Sequence, residues 1–113
     1  MKEIINYADF EKIDIRVGTI IDVEENNKLK KPSFILKIDF GENVGIKKSS
    51  AQLRKNYLKS DLLNKQIAAV INFKPKQIAN LISEVLVLGF PDNNFEPILI
   101  APDKNIKNGE KLY

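Results

Sequence analysis

The chain has 113 residues, 43% of them hydrophobic, and a formal net charge of +3. This length predicts one compact domain over residues 1–113, with its core from about residue 8. The chain contains neither Cys nor His, which excludes thiol–imidazole catalysis, serine–histidine–aspartate triads and most zinc sites. Phosphate-binding glycine loops and calcium-loop patterns of acidic residues are also missing from the sequence. The composition therefore predicts a protein that is not an enzyme and needs no metal or cofactor.

The hydropathy pattern predicts a cytoplasmic protein. No apolar run approaches the roughly 18 residues needed to span a bilayer. The first residues also lack the long apolar stretch of a signal peptide, and a chain without cysteine fits a reducing compartment.

Charge is distributed unevenly along the chain. Residues 28–76 contain twelve lysines or arginines and three acids, so this segment carries +9 and the remainder carries −6. A basic segment in a nearly neutral chain predicts a face that meets a polyanion. The alternative is a set of solvated lysines on a small protein.

The first half of the chain predicts three strands after a short helix or turn at residues 7–13. Period-two alternation follows, and it predicts a first strand with one buried face formed by Ile15, Val17, Thr19, Ile21 and Val23. A polar connection over residues 26–32 leads to a second strand, whose core face comprises Phe34, Leu36, Ile38 and Phe40. A hairpin turn at residues 41–43 then introduces a short third strand at 44–48.

The second half predicts one helix and three further strands. Residues 49–58 fit a helix, since serine can cap its first turn and Leu53, Tyr57 and Leu58 recur at helical spacing. Strands are predicted at residues 66–73, 84–90 and 97–102. Phe73 and Phe90 end two of these apolar strands and are predicted to be buried.

This order of elements predicts an all-β fold with short helices. Three strands, a helix and two more strands are the layout of a five-stranded OB-fold barrel, here with N- and C-terminal extensions. The short strands would also suit a sandwich, but one helix between the third and fourth strands favours the barrel. OB-fold barrels bind oligonucleotides across strands two and three and the adjacent loops, and the basic segment covers these elements.

Several motifs resemble the tRNA-binding domain family. They are Asp14–Gly18, Leu36–Gly41, Asn72–Ile78 and Ser83–Glu84, within a resemblance that spans about residues 10–112. The family occurs at the ends of methionyl- and tyrosyl-tRNA synthetases and as small free-standing dimers, so the resemblance implies an OB-fold that binds tRNA. Residues 45–52, 83–90 and 101–109 further resemble free-standing homodimeric members that are associated with export-related chaperone activity. One departure is that the family's arginine before the serine is absent, and Glu84 follows Ser83.

Candidate RNA-binding residues lie in two segments. Residues 74–84 place lysines, amides, a serine and a carboxylate between two predicted strands, which is chemistry for holding a ligand. Residues 47–50 place two lysines at a predicted helix start, which would favour an anion. Together with the resemblance, these segments predict RNA contacts by Lys47, Lys48, Ser49, Asn72, Lys74, Lys76, Gln77, Ser83 and Glu84. Solvated lysines, an ordinary N-cap and strand-end hydrogen bonds are the structural alternatives. Arg16 is expected to contact phosphate or to pair with an acid such as Asp39.

Apolar residues at both ends predict a homodimer, because a lone barrel has limited means of covering them. They are Ile4, Ile5, Tyr7, Phe10, Ile98, Leu99, Ile100 and Leu112. The resulting hypothesis is a non-catalytic, homodimeric tRNA-binding protein whose partner is tRNA or another structured RNA. The alternative is an export-related chaperone that holds unfolded or pre-secretory peptides and meets the export machinery.

Overall fold

Nine short strands and two short helices are present in the computed structural model, which describes residues 1–28 and 31–113. The elements are α1 (Tyr7–Glu11), β1 (Ile15–Asn26), β2 (Ser33–Asp39), β3 (Ile46–Ala51), α2 (Lys59–Leu62), β4 (Gln66–Val70), β5 (Lys76–Ile78), β6 (Leu81–Ser83), β7 (Leu86–Val87), β8 (Gly89–Pro91) and β9 (Pro97–Leu99). Lys30 of the predicted basic segment lies outside the described residues. Among those described, no helix is long and apolar enough to cross a membrane.

The main sheet has five antiparallel strands in the order β3-β2-β1-β4-β7. Two hairpins, β5–β6 and β8–β9, complete the strand content. The sheet closes where β3 meets the chain after β6, since the Glu84 N–H donates to the Lys48 carbonyl at 2.8 Å. The predicted OB-fold barrel is confirmed.

The core lies inside this curled sheet. Phe34, Leu36, Ile38 and Phe40 are at most 3% exposed, which confirms the predicted inner face of β2. Gly18 allows β1 to approach this face, because a Cβ at that position would lie 2.6 Å from Ile38 Cγ2.

The predicted inner face of β1 is wrong up to a β-bulge. The pairing with β2 shifts register between Ile20 and Asp22, and an extra residue reverses the alternation beyond it. Before the shift Ile20 faces the core, and Ile21, which was predicted to face the core, is 40% exposed. Val17 is buried but lies outside the core cluster, whereas Val23, beyond the shift, belongs to the core as predicted.

The helix predicted at residues 49–58 is wrong. β3 continues to Ala51, a turn follows, and the only helical residues between β3 and β4 are those of α2. Local spacing was misleading because Leu53 and Tyr57 do lie one turn apart, and the Tyr57 N–H donates to the Leu53 carbonyl at 3.0 Å. Ser49 is held in the strand instead, where its hydroxyl donates to the Val85 carbonyl at 3.1 Å.

The strands near the candidate site are shorter than predicted. β4 ends at Val70, and the segment expected to be a loop forms the β5–β6 hairpin. Because of this early end, Phe73 leaves the sheet and is 57% exposed, while Phe90 is 68% exposed. Both aromatic residues were predicted to be buried, and both predictions are wrong.

Candidate nucleic-acid interface

Glu84 and Ser83 connect two parts of the candidate site, β3 and the β5–β6 hairpin. The Glu84 carboxylate accepts from the Lys48 backbone N–H at 3.0 Å through Oε1, while Oε2 lies 3.9 Å from Lys47 Nζ. Ser83, the preceding residue, accepts from the Ser50 N–H at 3.1 Å and is paired with Lys76 across the hairpin. Glu84 and Ser83 therefore join β3 to the hairpin and bring Lys47, Lys48 and Lys76 to one edge of the barrel.

Lysines dominate this edge. Lys48 is exposed and Lys47 is half-buried. Lys48 also lies directly opposite Lys37 of β2, and two like charges facing each other across a sheet repel. Lys37 was not among the predicted binding residues. It could have been found by pairing the second and third predicted strands, which places Lys37 opposite Lys48. A bound anion would relieve the repulsion between the two ammonium groups.

A basic cleft of about 430 Å³ opens beside this edge. It is lined by Phe73, Lys74, Lys76, Ile78, Ser83, Glu84, Val85 and Leu86. Alternation along β5 turns Lys76 and Ile78 toward the cleft, while Ala79 adopts a left-handed φ of 52° in the two-residue turn. Phe73 was not among the predicted binding residues, because its position after an apolar run indicated burial.

Three of the predicted binding residues have other contacts. Asn72 ties the N-terminal segment to the barrel, since its amide nitrogen donates to the Lys12 carbonyl at 2.8 Å and its oxygen accepts from the Asp14 N–H at 3.0 Å. Gln77 is exposed but donates to the Ala79 carbonyl at 2.7 Å and does not line the basic cleft. Ser49 lies in β3 and is 1% exposed, so the predicted serine-capped helix start is absent and the Ser49 side chain is not accessible to RNA.

A second, more apolar depression lies where the C-terminal segment follows β1. This terminal groove is lined by residues 15–17, 68, 100–102, 106 and 110–113. The Gly109 N–H donates to the Val17 carbonyl at 2.8 Å, and the Leu112 N–H donates to the Ile15 carbonyl at 2.9 Å. The C-terminal segment thus pairs with β1, and Leu112 lies at the surface, where it is 50% exposed.

Arg16 supports the terminal groove and pairs with Asp14, whereas Asp39 was the acid suggested by the sequence. Its Nε lies 2.6 Å from Asp14 Oδ1, and its Nη1 donates to the Gly109 carbonyl at 3.0 Å. The hydrogen bond to Asp14 raises the pKa of the Arg16 guanidinium above its ordinary value. The Asp39 carboxylate instead accepts from the Gly41 N–H at 2.9 Å.

The predicted dimer residues fall into two sets. Ile4, Ile5 and Tyr7 are between 64% and 94% exposed, and Ile98 and Leu112 are about half as exposed as a free side chain. Phe10, Leu99 and Ile100 are half-buried. Leu99 packs partly against the barrel core, and Ile100 lines the terminal groove. The structure thus leaves an apolar surface around both chain ends.

Comparison with known families gives a match over most of the chain. Residues 15–111 match the family described as "Putative tRNA binding domain". The methionine–tRNA ligase of Thermococcus onnurineus is 34% identical over 110 residues, which cover 97% of this chain and 14% of the ligase. That of Pyrococcus horikoshii is 36% identical over 110 residues, covering 97% and 15%. This chain therefore spans about one seventh of the length of these curated relatives.

Solved structures extend the likeness to free-standing proteins. The CsaA chaperone protein of Picrophilus torridus is 51% identical with a TM-score of 0.89, covering 97% of this chain and 100% of that one. The chaperone CsaA of Bacillus anthracis is 42% identical with a TM-score of 0.90, covering 98% and 100%. These findings confirm the resemblance drawn from the sequence motifs.

Proposed function

The chain belongs to the tRNA-binding domain family, and we propose that it is a non-catalytic, cytoplasmic tRNA-binding protein that acts as a homodimer. The observation that carries this proposal is the basic cleft, where Lys74 and Lys76 share the lining with Glu84, whose carboxylate lies 3.9 Å from Lys47 Nζ. Lysine ammonium groups bind phosphate as point charges, and phosphate contacts supply most of the affinity of a protein for nucleic acid.

Each member of the proposed site has a distinct role. Lys47, Lys48, Lys74 and Lys76 contact phosphates. Ser83 and Glu84 hold the hairpin against β3 and can still form hydrogen bonds with a base or sugar. The reason is that a hydroxyl that accepts one hydrogen bond can still donate one, and a carboxylate has about four acceptor positions. Asn72 and Gln77 shape the segment between β4 and the hairpin, and their contacts to RNA are secondary to that role.

A homodimer is supported by the apolar surface at the chain ends. Side chains such as Ile4, which is 94% exposed, would leave water if a second copy packed against the terminal groove. Burial of apolar area at a two-fold interface stabilises association. Two linked sites would then bind one RNA more tightly than either site alone.

A second candidate function is peptide holding. The relatives from Picrophilus torridus and Bacillus anthracis are named chaperones, and the terminal groove offers the apolar lining that an unfolded or pre-secretory peptide would need. Peptide binding there would change little with salt, because apolar contacts are not screened by ions. The export machinery is a partner only under this second function.

The test is a titration of the purified protein with total tRNA at low and moderate salt, together with its mass in solution. We expect saturable binding that weakens as salt rises, by a species of about twice 12.9 kDa. Absence of binding even at low salt would overturn the RNA-binding proposal and favour the peptide-holding function. A mass of 12.9 kDa would overturn the homodimer alone.

A further inference from the structure

Phe73 is an aromatic side chain that the fold leaves uncovered. It follows the last residues of β4, lines the basic cleft and is 57% exposed. Aromatic side chains usually bury most of their area in a core or an interface. Here the ring shares the lining of a cleft with Lys74 and Lys76, which places a flat apolar surface near two cations.

Other exposed phenylalanines have a different setting. Phe90 is 68% exposed and Phe95 is 84% exposed, but both belong to the β8–β9 hairpin, close in sequence to Asp92 and Glu96. Carboxylates repel phosphate. Among the described residues, Phe73 is thus the exposed phenylalanine that Lys74 and Lys76 follow closely in sequence.

The rest of the cleft has a mixed lining. Ile78, Val85 and Leu86 supply apolar wall, while Ser83 and Glu84 supply polar groups at one side. Its volume of about 430 Å³ lies within the range of roughly 300–1,000 Å³ that is typical of small-ligand sites. An apolar lining together with polar groups and two cations matches a nucleotide, which has a flat base, polar base edges and a charged phosphate.

We propose that the basic cleft holds one unpaired nucleobase stacked on Phe73, with the flanking phosphates at Lys74 and Lys76. This inference rests on the proposed RNA-binding function and narrows its ligand to RNA that exposes single-stranded or extruded nucleotides. A base inside a continuous duplex is stacked on both faces by its neighbours and cannot present a face to the ring. Base–aromatic stacking is sequence-tolerant, so the cleft selects unpaired RNA with little preference among bases.

The experiment uses a short single-stranded RNA that carries 2-aminopurine and a blunt-ended duplex of the same sequence. Binding of both probes is measured for the unmodified protein, for Phe73→Leu and for the matched control Phe90→Leu. We expect the unmodified protein to prefer the single strand. Phe73→Leu should bind the single strand about tenfold more weakly and the duplex with unchanged affinity. The change in 2-aminopurine fluorescence on binding should be absent in this variant. Phe90→Leu should behave as the unmodified protein does.

The possible failures are distinguishable. Equal binding of single strand and duplex, unaffected by Phe73→Leu, would overturn the stacking proposal and leave RNA binding in place. A Lys74→Ala variant separates the contribution of charge from that of stacking, since it should weaken the binding of both probes by the same factor. No binding of either probe or of tRNA by the unmodified protein would overturn the proposed function itself. Because Phe73 is exposed, Phe73→Leu should keep the melting temperature, and thermal unfolding checks this directly.

Discussion

The basic cleft and the terminal groove are both open depressions, but they differ in chemistry. The basic cleft is lined by Lys74, Lys76 and the exposed ring of Phe73. The terminal groove is largely apolar, and its one arginine is already paired with Asp14. A paired guanidinium has less to offer a phosphate than an exposed ammonium group. We therefore expect a polyanion in the cleft and apolar partners in the groove.

The two regions also differ in how the barrel holds them. The cleft depends on the closure of the barrel through Ser83 and Glu84. The groove depends on the C-terminal segment, whose Gly109 and Leu112 N–H groups donate hydrogen bonds to β1. Substitutions in one region should therefore leave the other intact.

The largest expected effect is on the terminal side. In Ile5→Asp/Leu112→Asp, two carboxylates would have to leave water at the proposed dimer contact, which is costly when they are unpaired. We expect the mass by light scattering to fall from about twice 12.9 kDa to 12.9 kDa. Affinity for tRNA should fall by about 100-fold, because the second site no longer acts on the same RNA. Leu58→Asp, at another exposed leucine, is the control, and an unchanged mass in the double variant would remove these residues from the interface.

The next effect is on the cleft side. Lys74→Ala/Lys76→Ala removes two phosphate contacts, and each contact contributes about 0.7–0.9 to the slope of log affinity against log salt. We expect this slope for tRNA binding to become shallower by about 1.5, with the solution mass unchanged. Lys104→Ala/Lys107→Ala removes two exposed lysines elsewhere. Equal slopes in the two double variants would show that the charge effect is general and that the cleft has no special role.

A smaller effect tests the carboxylate in the cleft. Glu84→Gln removes the negative charge but keeps an oxygen that can accept from the Lys48 N–H. Because a charge a few ångströms from phosphate in water is worth about 1 kcal/mol, tRNA affinity should rise by about fivefold. Thermal unfolding should change little in this variant, whereas Glu84→Ala should lose about 1 kcal/mol of unfolding free energy with the hydrogen bond. Weaker tRNA binding by Glu84→Gln would show that the carboxylate contacts the RNA favourably.

The smallest effect concerns the hairpin turn. Ala79 has a φ of 52°, and the left-handed region costs a residue with a Cβ about 1–2 kcal/mol. Ala79→Gly should relieve this strain and, after the greater backbone entropy of glycine, raise the unfolding free energy by about 0.5 kcal/mol. Ala68→Gly in β4 should lower it by a similar amount. Chemical denaturation measures both, and destabilisation by Ala79→Gly would contradict the strained turn.

The alternation of apolar and polar residues predicted the strands of the barrel correctly where burial alternates regularly along a strand. The inner face of β2, with Phe34 and Phe40, follows directly from alternation. The prediction was wrong where distant contacts decide the structure. Ser49 stays in a strand because its hydroxyl donates a hydrogen bond to the Val85 carbonyl, which is distant in sequence. No residue near Ser49 in the sequence indicates that hydrogen bond.

The candidate site was predicted in part for the same reason. Lysine pairs flanking predicted strands indicated Lys47, Lys48, Lys74 and Lys76, since charge is visible in the sequence. The aromatic component was missed, because exposure of Phe73 depends on β4 ending three residues earlier, at Val70. The β5–β6 turn was also invisible, since it uses Ala79 at a position where glycine is the usual signal.

Lysine reactivity in the presence and absence of tRNA tests the central claim most directly. Acetylation followed by mass spectrometry reports each lysine of the two regions in one experiment. If RNA occupies the cleft, tRNA should protect Lys47, Lys48, Lys74 and Lys76, while Lys104, Lys107 and Lys111 near the terminal groove keep their reactivity. Protection of the last three alone would contradict the claim and move the RNA to the other side of the barrel.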